Sequence, residues 1–196
     1  MDSPSPPRLW DISQTLRPGL PVWPGDTPFT AERSWRMEDG SPVNVGRFTT
    51  TVHAGTHADA PLHYGQGAPA VADLELGAYL GPCRLIDARA CGGTISRDFI
   101  DRAVIAPPPR VLFRTYDAFP TGRWRADFMT VDAAAIQRLA AMGVRLIGID
   151  SPSVDPQESK TMDAHLALLA ADMRVLEGLV LDEVPAGDYE LIALPL

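Results

Sequence analysis

From residue 111 to residue 181 the chain alternates two hydrophobic periods, and that alternation restricts its fold more than any other feature. VLFRTY (111–116) has the pattern of a buried strand, and VRLIGID (144–150) and RVLEGLVL (174–181) also read as strands. Between them lie two helical patterns. VDAAAIQRLAAM (131–142) has Thr130 as a candidate N-cap and Gly143 as a stop. DAHLALLAAD (163–172) is the second. Strands alternating with helices predict an α/β fold with at least some parallel pairing.

The rest of the chain adds shorter elements. Strands are expected at 9–12, 45–53, 83–88 and 189–196, and a short helix from the N-cap Ser96 to about Arg102. The run RPGLPVWPGDTPF (17–29) holds four prolines and two glycines, so it is neither helix nor central strand. Trp23 within it argues for an ordered loop, because a large aromatic ring needs a surface to cover. A flexible tail is expected over 1–8 and one domain over 9–196, a length that supports a single core.

Composition narrows the partners. The net charge of −8 disfavours nucleic acid and anionic lipid, and no basic cluster interleaves with aromatics. No apolar run approaches the roughly 18 residues of a membrane span, and MDSPSPPRLW has no apolar core of a signal peptide. Cys83 and Cys91 have neither metal-ribbon nor redox spacing and read as reduced thiols. The expected address is cytoplasmic.

The chemistry concentrates in H-A-G-T-H-A-D-A-P-L-H, residues 53–63. Three of the four histidines lie there, with one aspartate. Neutral imidazole is the commonest protein metal ligand, and Asp59 adds a hard carboxylate. Gly55 and Pro61 oppose a helix. The expectation is that His53 ends a strand and the following loop wraps an ion. Gly55 would allow a tight turn, and Thr56 would hold the loop by a local hydrogen bond. An ion with three protein ligands keeps a position for water and lowers that water's pKa to about 7. His63 is the candidate to move protons. A lone histidine is more often structural, but three with an aspartate in one Gly/Pro-bearing loop favour a metal site. Taken alone, His165 reads as an ordinary helix residue and Glu177 as a solvated carboxylate. For Trp23 the residues leave loop packing and substrate contact equally open.

The segment HAGTHADAPLH resembles the H-x-G-T-H-x-D-x-P-x-H signature of the bacterial kynurenine formamidases (arylformamidases), within the metal-dependent cyclase family. The resemblance continues in WDISQTLRPGLPVWPGD (10–26) and GIDSPSVDPQ (148–157) and covers nearly the whole chain. It implies a compact α/β domain of the swivelling β/β/α type with a mixed sheet, in a homodimer. It implies two divalent ions per subunit, with zinc expected; His and carboxylate ligands also suit manganese, iron or cobalt. His53, His57 and Asp59 would hold the first ion. Asp59 would bridge to the second, held also by His165 and Glu177. His63 would be the general acid/base, and Trp23 would contact an aromatic substrate. The implied reaction is hydrolysis of N-formyl-L-kynurenine to L-kynurenine and formate by a metal-activated water, a step of tryptophan breakdown. Two alternatives stay open: a relative acting on another amide or a cyclic amide such as isatin, and a metal-binding protein without catalysis. No G-x-S-x-G elbow offers a serine mechanism.

Overall fold

The computed structural model describes residues 8–196. The expected flexible tail lies outside the described residues except for Arg8, whose guanidinium sits 3.6 Å above the Trp10 ring.

Four short parallel strands form the centre: β4 (Leu80–Asp87), β6 (Arg110–Arg114), β8 (Leu146–Ile149) and β9 (Arg174–Glu177). An antiparallel strand closes each edge, β10 (Gly187–Ile192) beside β4 and β3 (His57–Asp59) beside β9. The expected α/β class and mixed sheet are therefore observed. The central strands are apolar on both faces because both faces are covered. Val111, Phe113, Ile147, Ile149 and Val175 point to one side and join a core with Ile100, Ile136, Leu139 and Leu168. Those last four come from α2 (Arg97–Ala103), α3 (Ala133–Ala141) and α4 (Asp163–Ala170). Leu85, Leu112, Leu146 and Leu176 point to the other side and pack with Tyr79, Leu179, Leu181 and Leu191. Gly148 is required on that second face: a Cβ there would lie 2.5 Å from Leu112 Cδ2 and 2.8 Å from Leu179 Cδ1.

Several boundaries differ from the sequence reading. Residues 9–12 form no strand; the Ile12 carbonyl accepts from Val180 N–H at 2.9 Å, and the Trp10 and Ile12 side chains pack against the second core. The strand expected at 45–53 is β2 (Val45–Thr49), which pairs with β1 (Thr30–Trp35) in an exposed hairpin and ends before His53. Its Val/Thr-rich continuation turns away at Thr51, whose carbonyl accepts from Ala54 N–H. Thr130 does not cap α3. It lies in β7 (Thr130–Val131), paired with β5 (Thr94–Ile95), and Asp132 makes the cap through Ala134 N–H. Ser96 caps α2 as expected, accepting from Phe99 N–H. The strands expected at 174–181 and 189–196 are shorter, at 174–177 and 187–192. In the first case Gly178 turns the chain with φ +66°.

Candidate active site

The segment 53–63 is not one loop. It contains β3 and a single helical turn, α1 (Pro61–Tyr64), with Pro61 at its first position. Pro61 starts this turn instead of breaking it, because the first turn of a helix needs no N–H there. In β3, His57 lies directly opposite Glu177 of β9, and Asp59 opposite Val175. Residues two apart on a strand share a face. Antiparallel pairing thus delivers His57, Asp59 and Glu177 to one spot.

His53 approaches from the preceding turn, and His165 from α4. His53 Nδ1 is 2.9 Å and His57 Nε2 3.4 Å from Asp59 Oδ1. The other oxygen, Oδ2, is 3.3 Å from His165 Nε2. Glu177 faces both histidines, with Oε2 3.6 Å from His57 Nε2 and Oε1 3.6 Å from His165 Nε2. Two ligand-competent groups result, His53/His57/Asp59 and Asp59/His165/Glu177, with Asp59 common to both. All five side chains expected as ligands meet here. Glu177 is not the solvated carboxylate that its sequence context suggests: it is 3% exposed, and Asp59 and His165 are each 1% exposed.

The donor set fits divalent cations. Burying carboxylates is costly unless they are paired or coordinate a metal. Here His57 Nε2 and Asp59 Oδ1 are buried without a hydrogen-bond partner, although opposing donors and acceptors stand within 3.6 Å. Those are the atoms aimed at the shared space. His57 Nδ1 is meanwhile 3.1 Å from the Gly55 carbonyl, which leaves Nε2 for the cluster.

The charged groups of the cluster act strongly on one another. Burial disfavours the imidazolium of His165, but Asp155, Asp59 and Glu177 outweigh it and push its pKa up to about 10. Burial and then Asp59 raise Glu177, while three imidazoles hold Asp59 below the usual carboxylate range against its own burial. His63, on α1, differs. Burial lowers its pKa, so the ring is neutral near pH 7. Its centroid lies 4.1 Å from that of His53 and 6.2 Å from that of His165. It therefore stands beside both groups while remaining more exposed than they are.

Packing around Gly55 and Gly178 holds the cluster together. Gly55 turns tightly with φ +69°, as expected. Thr56 does not make a local bond. Its hydroxyl donates to the Gly178 carbonyl at 2.6 Å and accepts from Gln14 N–H at 2.9 Å. The N-terminal segment is thereby tied to the turn after Glu177. A Cβ on Gly178 would lie 2.5 Å from the Gly55 carbonyl oxygen.

The cluster lies at the floor of a cavity of about 340 Å³, lined also by Trp23 and Trp124. Trp23 meets Trp124 edge-on at 5.2 Å and Phe128 at 6.3 Å. Trp124 Nε1–H donates to Gln157 at 2.6 Å. The Pro-rich run 17–29 is thus an ordered wall of this cavity. Asp155 and Gln157 lie in the segment 148–157 that carries the resemblance, but nothing in the local spacing of these two or of Trp124 assigns them a role beside residues 53–63.

Similarity to known proteins identifies its family. The Cyclase family model matches residues 10–156. The kynurenine formamidase of Erythrobacter litoralis (strain HTCC2594) is 59% identical over 96% of this chain and 87% of its own. The chain belongs to the kynurenine formamidase group of the cyclase family. The group's relatives in the solved structures share its fold. One, described as a potential metal-dependent hydrolase with cyclase activity, is 29% identical over 92% of this chain and 85% of its own, with a TM-score of 0.78. Isatin hydrolase A from Ralstonia solanacearum is 25% identical over 100% and 94%, with a TM-score of 0.81.

Proposed function

We propose that the protein hydrolyses N-formyl-L-kynurenine to L-kynurenine and formate. One observation carries the reading: two ligand groups sharing a buried aspartate lie at the floor of a cavity walled by Trp23 and Trp124. The 59% identity to a kynurenine formamidase supports the substrate. The cavity volume suits a single-ring substrate.

His53, His57 and Asp59 would hold one divalent ion, and Asp59, His165 and Glu177 the second, with zinc as the expected metal. Bound ions supply Lewis acidity toward the formyl oxygen and acidify water toward neutrality. His63, neutral and beside both groups, takes the proton of the attacking water and returns it to the departing aryl amine. Trp23 packs against the substrate ring while Trp124 and Phe128 fix its orientation. Loss of the second carboxylate, as in Glu177→Gln, leaves Asp59 as the one carboxylate facing both His57 and His165 and weakens the Asp59/His165/Glu177 group.

The catalytic unit proposed is the single domain 9–196, acting as a homodimer in the cytoplasm on a small molecule, with no nucleic-acid or membrane partner. The β1/β2 hairpin supports the dimer, since every residue in both strands is exposed, Trp35 and Phe48 among them. Among the described residues no helix is long and apolar enough to cross a membrane.

The test is hydrolysis of N-formylkynurenine by purified protein before and after chelation, with zinc added back. Activity lost on chelation and restored by zinc is the expected result. The likeness to isatin hydrolase favours a cyclic amide as the second reading. A panel of formamides and cyclic amides separates the two by kcat/KM.

A further inference from the structure

We infer that Asp155 is the positioning residue of the second ligand group, setting the ring of His165 and through it the affinity for the second ion alone. The inference rests on the two-ion reading above.

Helix α4 begins in an unusual way. Its N-cap, Met162, is left-handed with φ +54° and ψ +47°, and no side chain at that position caps the helix. The first N–H groups of a helix need an acceptor. Here the acceptor is Asp155, eight residues before the helix starts. Its Oδ1 accepts from Ala164 N–H at 3.0 Å, and its Oδ2 accepts from His165 N–H at 3.0 Å. The same Oδ2 lies 2.6 Å from His165 Nδ1. One buried carboxylate therefore serves the helix terminus and the ligand that the helix carries.

The ring contact has a chemical consequence. A carboxylate at Nδ1 keeps the proton there, so the lone pair falls on Nε2. Nε2 is the atom that faces Asp59 and Glu177. The neighbouring residue completes the arrangement: Val154 N–H donates to Glu177 Oε1 at 2.9 Å and fixes the second carboxylate of the same group. The segment Ser151–Asp155 thus orients two of the three members of that group. It makes no hydrogen bond to His53 or His57. His57 is oriented separately, by the Gly55 carbonyl.

The experiment compares zinc binding by stripped wild type, Asp155→Ala, Asp155→Asn and Leu166→Gly, using calorimetry and metal analysis. Leu166 lies mid-helix in α4, is 46% exposed, and controls for simple weakening of the helix. Wild type is expected to take two ions per chain. Asp155→Ala should keep the first at near wild-type affinity and bind the second about 10- to 100-fold more weakly. Asp155→Asn keeps an acceptor of the same size and should fall between the two. Leu166→Gly should lower Tm yet bind both ions normally. Equal affinity for both ions in folded Asp155→Ala and Asp155→Asn would overturn the inference. So would parallel loss of both ions, or loss of the second ion in Leu166→Gly. Wild type that binds no zinc would refute the two-ion reading itself, a result distinct from any of these.

Discussion

The two halves of the candidate metal-ligand cluster are built by different means. His53, His57 and Asp59 come from seven consecutive residues, and the His53 side chain remains 25% exposed. His165 and Glu177 come from a helix and a strand, and their side chains are 2% and 4% exposed. The first half is local and open; the second is assembled and closed. Openness would suit a side that admits water and substrate. Burial suits the side whose geometry must stay fixed, because in a low-dielectric interior each charge interacts more strongly with its partners. Asp59 joins them, one carboxylate oxygen facing each half.

The largest expected effect comes from the shared residue. Asp59→Ala should abolish both zinc binding and turnover, measured by metal analysis and N-formylkynurenine hydrolysis. Retention of one ion at wild-type affinity would show that the halves are independent. His63→Ala should lower kcat by about 10²- to 10⁴-fold with metal content intact. Wild-type turnover in that variant would remove His63 from proton transfer. Between the halves, stopped-flow chelation should release zinc in two phases, the faster from the half containing the part-exposed His53. A single phase would erase the distinction between open and closed. Trp23→Ala should raise KM roughly 5-fold with kcat changed less, since an aromatic contact contributes about 1 kcal/mol. Gly178→Ala should act on stability more than on chemistry, costing about 1–3 kcal/mol because a left-handed backbone and a 2.5 Å approach both oppose a Cβ there. A Tm equal to wild type would show that the turn between the halves can relax.

Much of this was legible without coordinates. The apolar runs at 111–116, 144–150 and 174–181 contain three of the four parallel strands, β6, β8 and β9, and the helical patterns at 131–142 and 163–172 are α3 and α4. The loop histidines drew attention because ligand residues close in sequence leave a visible spacing. The misassigned Thr130 cap and the overlong strand at 45–53 share one cause. Local propensity does not reveal which neighbour a segment will meet, and Thr130 met Thr94 across a two-stranded ladder. His165 and Glu177 carried no local signal. Only resemblance to a family singled them out.

By itself, the sequence determined the class of fold, through alternating periods that must bury apolar faces on both sides of a sheet, and the chemistry of one half-site, through the composition of residues 53–63. The tertiary structure decided what those residues face. The antiparallel register of β3 on β9 set His57 against Glu177, and the approach of α4 brought His165 to Asp59 across 106 residues of chain. Contacts at such separation depend on which strands pair and how helices pack. Those are properties of the whole buried core and are not encoded in the spacing of any short segment.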